Sequence, residues 1–221
     1  MVTWIAGAPH NGSTFIRQII KKCFGVMSYS RYYEEELDFL FPGGSAFSRA
    51  YLENEPIRLR WLKEHKKTVI IKTHEIPVDN SPAIFVVRDG RDAVTAVSNF
   101  WKIPIAYAIT GQHIAFPSWS EYFWSWKPLE RSNTLMVKFE DMVSDPNKVA
   151  QELSPFLGLE QTEVFVDAFE DNKKEFGQLF QDSGSCWQEC MTDSDLDLFW
   201  NCHGNVMDLL GYKREADDAT S

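Results

Sequence analysis

The chain has 221 residues, 44% of them hydrophobic and 14% aromatic, enough apolar mass for one compact α/β domain with a substantial core. Its 22 basic residues stand against 32 acidic ones, a net charge of −10, which weighs against nonspecific nucleic-acid binding and against a long polyanionic substrate. No apolar run is long enough to span a bilayer, and a first strand opening at residue 2 leaves no room for a signal peptide, so a cytoplasmic chain without membrane attachment is expected.

Val2-Thr3-Trp4-Ile5-Ala6 has β-branched and aromatic strand character, and Phe15, Ile16, Ile19 and Ile20 then repeat at helical spacing. Between them lies Gly7-Ala8-Pro9-His10-Asn11-Gly12-Ser13-Thr14. Strand, glycine-bearing turn and helix N-terminus together aim backbone N–H groups and a positive helix end at one point, a ready site for a phosphate. The spacing follows G-x-x-x-x-G-K-[ST] except that Ser13 stands where the Walker lysine would be. That lysine grips the β- and γ-phosphates of a nucleoside triphosphate, so its absence argues against an ordinary ATPase or kinase.

Residues 28–65 read as helical and irregular, with an acidic run at Glu34-Glu35-Glu36 and a break at Pro42-Gly43-Gly44. Thr68–Ile71 and Ala83–Val87 are short apolar runs that predict buried strands, ending at Lys72-Thr73-His74 and Arg88-Asp89-Gly90-Arg91-Asp92. A helix carrying Val94, Val97 and Trp101 on one face follows, and Thr134–Phe139 is the last clear strand, ending in Glu140-Asp141. Helices then run to the C-terminus, where Leu196, Phe199, Trp200, Val206, Met207 and Leu210 form an apolar stripe, Gly211 is a stop and residues 215–221 a frayed tail. Short strands alternating with helices predict a single three-layer α/β/α domain over residues 1–214 with a central parallel sheet. Ligands in such sheets sit beyond the carboxyl ends of the strands, where every polar cluster just named falls. Cys23, Cys186, Cys190 and Cys202 lack paired C-x-x-C spacing, so they read as buried free thiols in a reducing compartment, and no metal is expected.

Taken in order, those clusters resemble the sulfotransferases that use 3′-phosphoadenosine-5′-phosphosulfate (PAPS). Pro9-His10-Asn11-Gly12-Ser13-Thr14-Phe15 is similar to their P-K-S-G-T-T-W phosphosulfate loop. Lys72-Thr73-His74-Glu75-Ile76-Pro77 resembles the K-T-H-x-x-P segment that carries the catalytic histidine, and Val87–Val94 the V-R-[ND]-[PG]-R-D-[VA] element that binds the 3′-phosphate. Ser118-Trp119 with Trp126 matches S-W-x6-W. Lys138–Met142 with Asp145-Pro146 matches R-Y-E-D-L…D-P, and Val206–Tyr212 the closing L-G-Y helix. The resemblance implies the P-loop NTPase-like sulfotransferase fold, PAPS as co-substrate with adenosine 3′,5′-bisphosphate (PAP) as product, and a small-molecule acceptor, in a monomer or homodimer.

The chemistry agrees. Sulfuryl transfer, like phosphoryl transfer, needs an in-line attack, a base for the acceptor, a cation near the bridging oxygen and anchors for the phosphates. His74 is the candidate base, and Lys72, two residues away, orients it or neutralises the sulfuryl oxygens. Gly12, Ser13 and Thr14 offer N–H groups and hydroxyls to the 5′-phosphate, and Arg88 a planar fork to the other. Duller readings stand beside these. His74 also reads as a strand-end cap in a polar network, and Arg88 and Arg91 as surface ion pairs with Asp89 and Asp92. Glu140 and Asp141, adjacent on a strand, point to opposite faces and read as structural. Trp119, Phe123 and Trp126 have core spacing. Trp101, Tyr107 and Phe116 either join the core or line an acceptor pocket.

Four positions depart from the family pattern. His10 replaces a lysine that touches the bridging and leaving oxygens, so it is placed with both the catalytic and the donor-binding residues. Ala96 falls where the 3′-phosphate serine belongs, with Thr95 or Ser98 as substitutes, and Phe139 replaces a tyrosine associated with the adenine. The basic R-K-G-x-x-G-x-W-K segment is represented by Gln181–Gln188, which keeps Trp187 but neither cation, with Lys173, Lys174 or Arg17 as possible compensation. The leading reading is a sulfotransferase acting on a hydroxyl or amine of a small, partly aromatic metabolite. The rival is a degenerate relative that binds an adenosine bisphosphate or another phosphate ligand without transfer.

Overall fold

The computed structural model describes residues 2–31, 48–51, 68–112, 116–166 and 187–214. Its strands are β1 (Val2–Ala6), β2 (Ser28–Ser30), β3 (Ser48–Tyr51), β4 (Val69–Lys72), β5 (Ala83–Val87) and β6 (Thr134–Lys138). They form one sheet in the order β3-β2-β4-β1-β5-β6, with every pair parallel. All carboxyl ends therefore lie along one edge. The helices are α1 (Ser13–Phe24), α2 (Gly90–Trp101), α3 (Ile105–Thr110), α4 (Trp119–Trp126), α5 (Phe139–Ser144), α6 (Pro146–Leu157), α7 (Trp187–Cys190) and α8 (Asp193–Leu210).

The period-two alternation of each strand divides the core into two layers. Val2, Trp4, Ala6, Ile71, Phe85 and Val87 face one side, where Val94, Trp119, Tyr122, Phe123, Trp126 and Phe199 from α2, α4 and α8 cover them. Ile5, Ile70, Ile84, Val86 and Val137 face the other, under Ile16, Ile19, Ile20, Val149 and Leu153 of α1 and α6. Helices on both faces of a parallel sheet give the three-layer α/β/α fold. In the closing helix Phe199, Val206, Met207 and Leu210 are buried. It ends at Gly211, whose φ is 79° and whose N–H donates to the Asp208 carbonyl.

Three sequence expectations are corrected. β2 and β3 lie within 28–65, a region expected to be helical or irregular. Apart from Tyr29 and Tyr51, Ser-Tyr-Ser and Ser-Arg-Ala-Tyr are made of residues without strand preference and lack an apolar run, and pairing along the sheet supplies the extended state. The acidic run and the Pro42 break fall outside the described residues. β6 stops at Lys138, and Phe139 opens α5, so Glu140 and Asp141 occupy a helical first turn, where negative charge is favourable. Cys23 is buried, but Cys190 and Cys202 are exposed.

Candidate functional site

The turn from β1 into α1 is built on glycine. Gly7 has φ 145°, and a Cβ there would lie 2.3 Å from the Val86 carbonyl oxygen. Gly12 has φ 98°, and its Cβ would meet the Phe139 ring at 2.4 Å. His10 between them takes a left-handed φ of 62°, a conformation that costs a side chain roughly 1–2 kcal/mol. The buried Asn11 pins the loop by donating from Nδ2 to the Val86 carbonyl at 3.2 Å. Gly12 is the N-cap of α1 and no side chain caps it, so the first-turn N–H groups of Ser13 and Thr14 head the helix at the loop. Ala8 and Pro9 lead into the loop and line a small cavity against α2 and α3. Phe15 is buried beneath it, edge-on to Phe139.

β4 delivers Lys72 and His74 to the same edge. Thr73 donates its N–H to Ile5 at 2.8 Å, which carries the pairing with β1 one residue past the strand. His74 is 8% exposed, and its Nδ1 lies 2.9 Å from the Gly7 carbonyl oxygen. A carbonyl only accepts, so Nδ1 carries a proton, and in the neutral form of the ring the lone pair falls on Nε2. Helix α4 secures the backbone here: Tyr122 donates its hydroxyl to the His74 carbonyl and Trp126 its indole N–H to Glu75 at 2.9 Å. The matched S-W-x6-W segment thus supports the strand end as well as the core.

β5 ends in Arg88, 4% exposed, with its guanidinium 4.8 Å from the centre of the Phe139 ring and 3.9 Å from the Asp92 carboxylate. Phe139 therefore touches Gly12, Phe15 and Arg88 together. Arg91 is committed elsewhere. It makes two bonds to Asp89, at 3.1 and 2.7 Å, and lies 4.0 Å over Trp187. These pairs are buried rather than on the surface. Glu140 accepts from the Asp89 N–H at 3.0 Å and from the Tyr212 hydroxyl at 2.9 Å. Sequence reasoning missed that Glu140 bridges α2 to the closing L-G-Y. It also missed the donor roles of Tyr122 and Trp126, because aromatic spacing announces packing and not the partner of an O–H or N–H.

His10 joins two environments. Burial first, then the charges of Lys72 and Arg88, lower its pKa from 6.5 to about 4, so the ring is neutral in the ligand-free chain, below the part-time charge that an ordinary histidine would carry. On its other side the ring meets Phe100 at 5.1 Å and Trp101 at 6.2 Å. Trp101 stacks on Phe116 at 5.9 Å, and Phe116 meets His74 edge-on at 6.0 Å. Tyr107 is 39% exposed and makes none of these ring contacts. Ser98 donates its hydroxyl to Ile103 at 2.7 Å, whereas the buried Thr95 hydroxyl has no hydrogen-bond partner among the described residues. The Gln181–Cys186 segment, Lys173 and Lys174 lie outside the described residues. Arg17 donates to Ser28 from within the core. Among the described residues no His, Cys, Asp and Glu cluster suits a metal ion, and no helix is long and apolar enough to cross a membrane.

The sequence model of the sulfotransferase domain matches residues 2–178. Sulfotransferase 1A1 of Mus musculus is 28% identical over 133 residues, 51% of this chain and 45% of that protein, so the match spans less than half of the relative. Among solved structures, mouse sulfotransferase SULT7A1 complexed with PAP superposes with a TM-score of 0.58 at 14% identity, covering 92% of this chain and 85% of its own. Retinol dehydratase in complex with androsterone and inactive cofactor PAP gives 0.59 at 13%, covering 93% and 80%. At such identities these superpositions establish the fold.

Proposed function

The chain belongs to the sulfotransferase domain family, and from that premise we propose that it transfers the sulfuryl group of PAPS to a hydroxyl or amine of a small acceptor. The observation that carries this reading is the 2.9 Å bond from His74 Nδ1–H to Gly7, which turns the lone pair of Nε2 to proton abstraction within the same unit that forms the phosphate loop. PAP in two related folds supports the donor.

The residues fit a nucleotide with two phosphate groups. The α1 N-terminus, uncapped by a side chain, offers Gly12, Ser13 and Thr14 to the 5′-phosphate, with Pro9, Asn11 and Phe15 shaping the loop. Arg88 serves the 3′-phosphate, aided by the Thr95 hydroxyl in place of Ser98, whose proton is already given to Ile103. Phe139 gives this region an apolar floor. His74 takes the acceptor's proton as the acceptor oxygen or nitrogen bonds to sulfur and the S–O bond to the 5′-phosphate breaks, releasing PAP. Lys72 supplies positive charge for the leaving oxygens. Trp101 and Phe116 line the acceptor side.

Incubation with PAPS and a pooled metabolite extract, followed by mass spectrometry, tests the assignment. Products heavier by one SO₃ group support it. Tight PAP binding without any sulfated product supports the degenerate relative instead.

A further inference from the structure

His10 occupies the loop position where the related motif carries a lysine for the donor's oxygens, and although Lys72 and Arg88 lie near enough to act on it, its ring contacts are with aromatic side chains. The ring packs against Phe100 at 5.1 Å with the planes 57° apart, and presents itself edge-on to Trp101 at 6.2 Å and 85°. Trp101 lies nearly parallel to Phe116, 20° apart at 5.9 Å, and Phe116 reaches His74 at 6.0 Å and 76°. These separations lie in the range of attractive ring pairs. His10, Trp101, Phe116 and His74 thus form one continuous run of rings from the phosphate loop to the base. Phe100 is 43% exposed, and His10, Trp101 and Phe116 are half-buried, so solvent reaches the run.

Building on the sulfotransferase reading, we propose that His10 is a specificity-determining residue on the acceptor side of the site: the loop-end ring of a wall that selects flat, conjugated acceptors, not a ligand of the donor's phosphates. A lysine here would bring a flexible stem and a fixed charge. The imidazole brings a rigid plane with one polar edge, and its left-handed backbone, with φ 62°, is fixed between Gly7 and Gly12. The stacked Trp101–Phe116 pair offers a flat surface, and His10 and His74 close its two ends.

Two probes test this by calorimetry: 2-naphthol, which is flat, and cyclohexanol, which is not, each titrated into PAP-saturated and into free protein. The wild type binds 2-naphthol at least about tenfold more tightly than cyclohexanol. His10→Asn tolerates the left-handed backbone but removes the ring. It weakens 2-naphthol about fivefold, the size of a lost ring contact, and leaves PAP affinity within about twofold. His10→Phe, which keeps a ring, retains 2-naphthol. A large loss of PAP affinity in His10→Asn with 2-naphthol unchanged overturns the inference and returns His10 to the donor. So does equal binding of the two alcohols, or no 2-naphthol binding, by the wild type. Absence of PAP binding to the wild type counts against the donor assignment, and the titrations of free protein then decide the wall separately.

Discussion

Gly7 and His74, sixty-seven positions apart, are joined by a 2.9 Å hydrogen bond from imidazole Nδ1–H to main-chain carbonyl. The bond makes the base part of the loop: the carbonyl that follows β1 sets the tautomer of the residue that follows β4. His74→Ala is expected to lower kcat at least about a hundredfold, since base catalysis acts in the transition state. PAP affinity, measured by calorimetry, stays largely unchanged. A variant that turns over normally removes His74 from the mechanism.

PAP is expected to stabilise the protein without magnesium. At about a hundred times its Kd a ligand adds roughly 2.7 kcal/mol, a rise of a few degrees in Tm. The same measurement on Arg88→Gln should show most of that rise gone. Because Arg88 is 4% exposed and lies on Phe139, the ligand-free variant is also expected to melt lower, so the quantity to compare is the PAP-induced increment. ATP with magnesium producing an equal increment in the wild type would contradict the donor assignment.

Most of this architecture is written in local pattern. β1, β4 and β5 are apolar runs buried on both faces, and the polar residues that follow them mark the ligand edge. Arg88 and Arg91 sit three residues apart with similar acidic neighbours, and it is the family resemblance, not their spacing, that singles out Arg88 in the sequence. The fold supplies the contacts behind that difference: Arg91 is locked between Asp89 and Trp187, while Arg88 lies beside Phe139 and the loop. β2 and β3 were illegible because their strand state comes from pairing along the sheet and not from Ser, Arg or Ala. The aromatic wall was only half legible. Trp101 and Phe116 stand out as surplus aromatics, but their stacking and the inclusion of His10 depend on how α2 is placed against the loop.

Gly12 and Gly25 separate steric need from conformational need. Both have positive φ, 98° and 65°, but a Cβ at Gly12 meets Phe139 at 2.4 Å and one at Gly25 meets nothing within 4 Å. Gly25→Ala should cost about 1 kcal/mol for the left-handed backbone alone. Gly12→Ala should cost clearly more, about 2–4 kcal/mol once the overpacking against Phe139 is added, and should also lose PAP affinity because the helix N-terminus shifts. Urea unfolding and calorimetry measure the two effects. Equal stability losses in both variants would show that the Phe139 contact relaxes freely.

The pH dependence of stability should report the setting of His10. Burial, Lys72 and Arg88 hold its folded pKa at about 4, against an ordinary value of 6.5. Between those two values the unfolded chain binds a proton that the native chain refuses, so stability rises with pH across this window. The stabilising difference is fully present above pH 6.5 and is lost progressively as pH falls towards 4. His203 acts in the same direction. Burial lowers its pKa; its Nε2–H donates to Ile109 at 2.8 Å, and its Nδ1 accepts from Ser120 at 2.8 Å, a bond that protonation abolishes. Carboxylates add their own acid dependence at the lower end, so the decisive quantity is the difference between wild type and His10→Asn. Urea unfolding of both from pH 7 to 4.5 should give a shallower loss for the variant, with the residual slope carrying His203. Parallel curves across this range would mean that His10 titrates near its ordinary value, and that Lys72 and Arg88 do not act on it as the geometry requires.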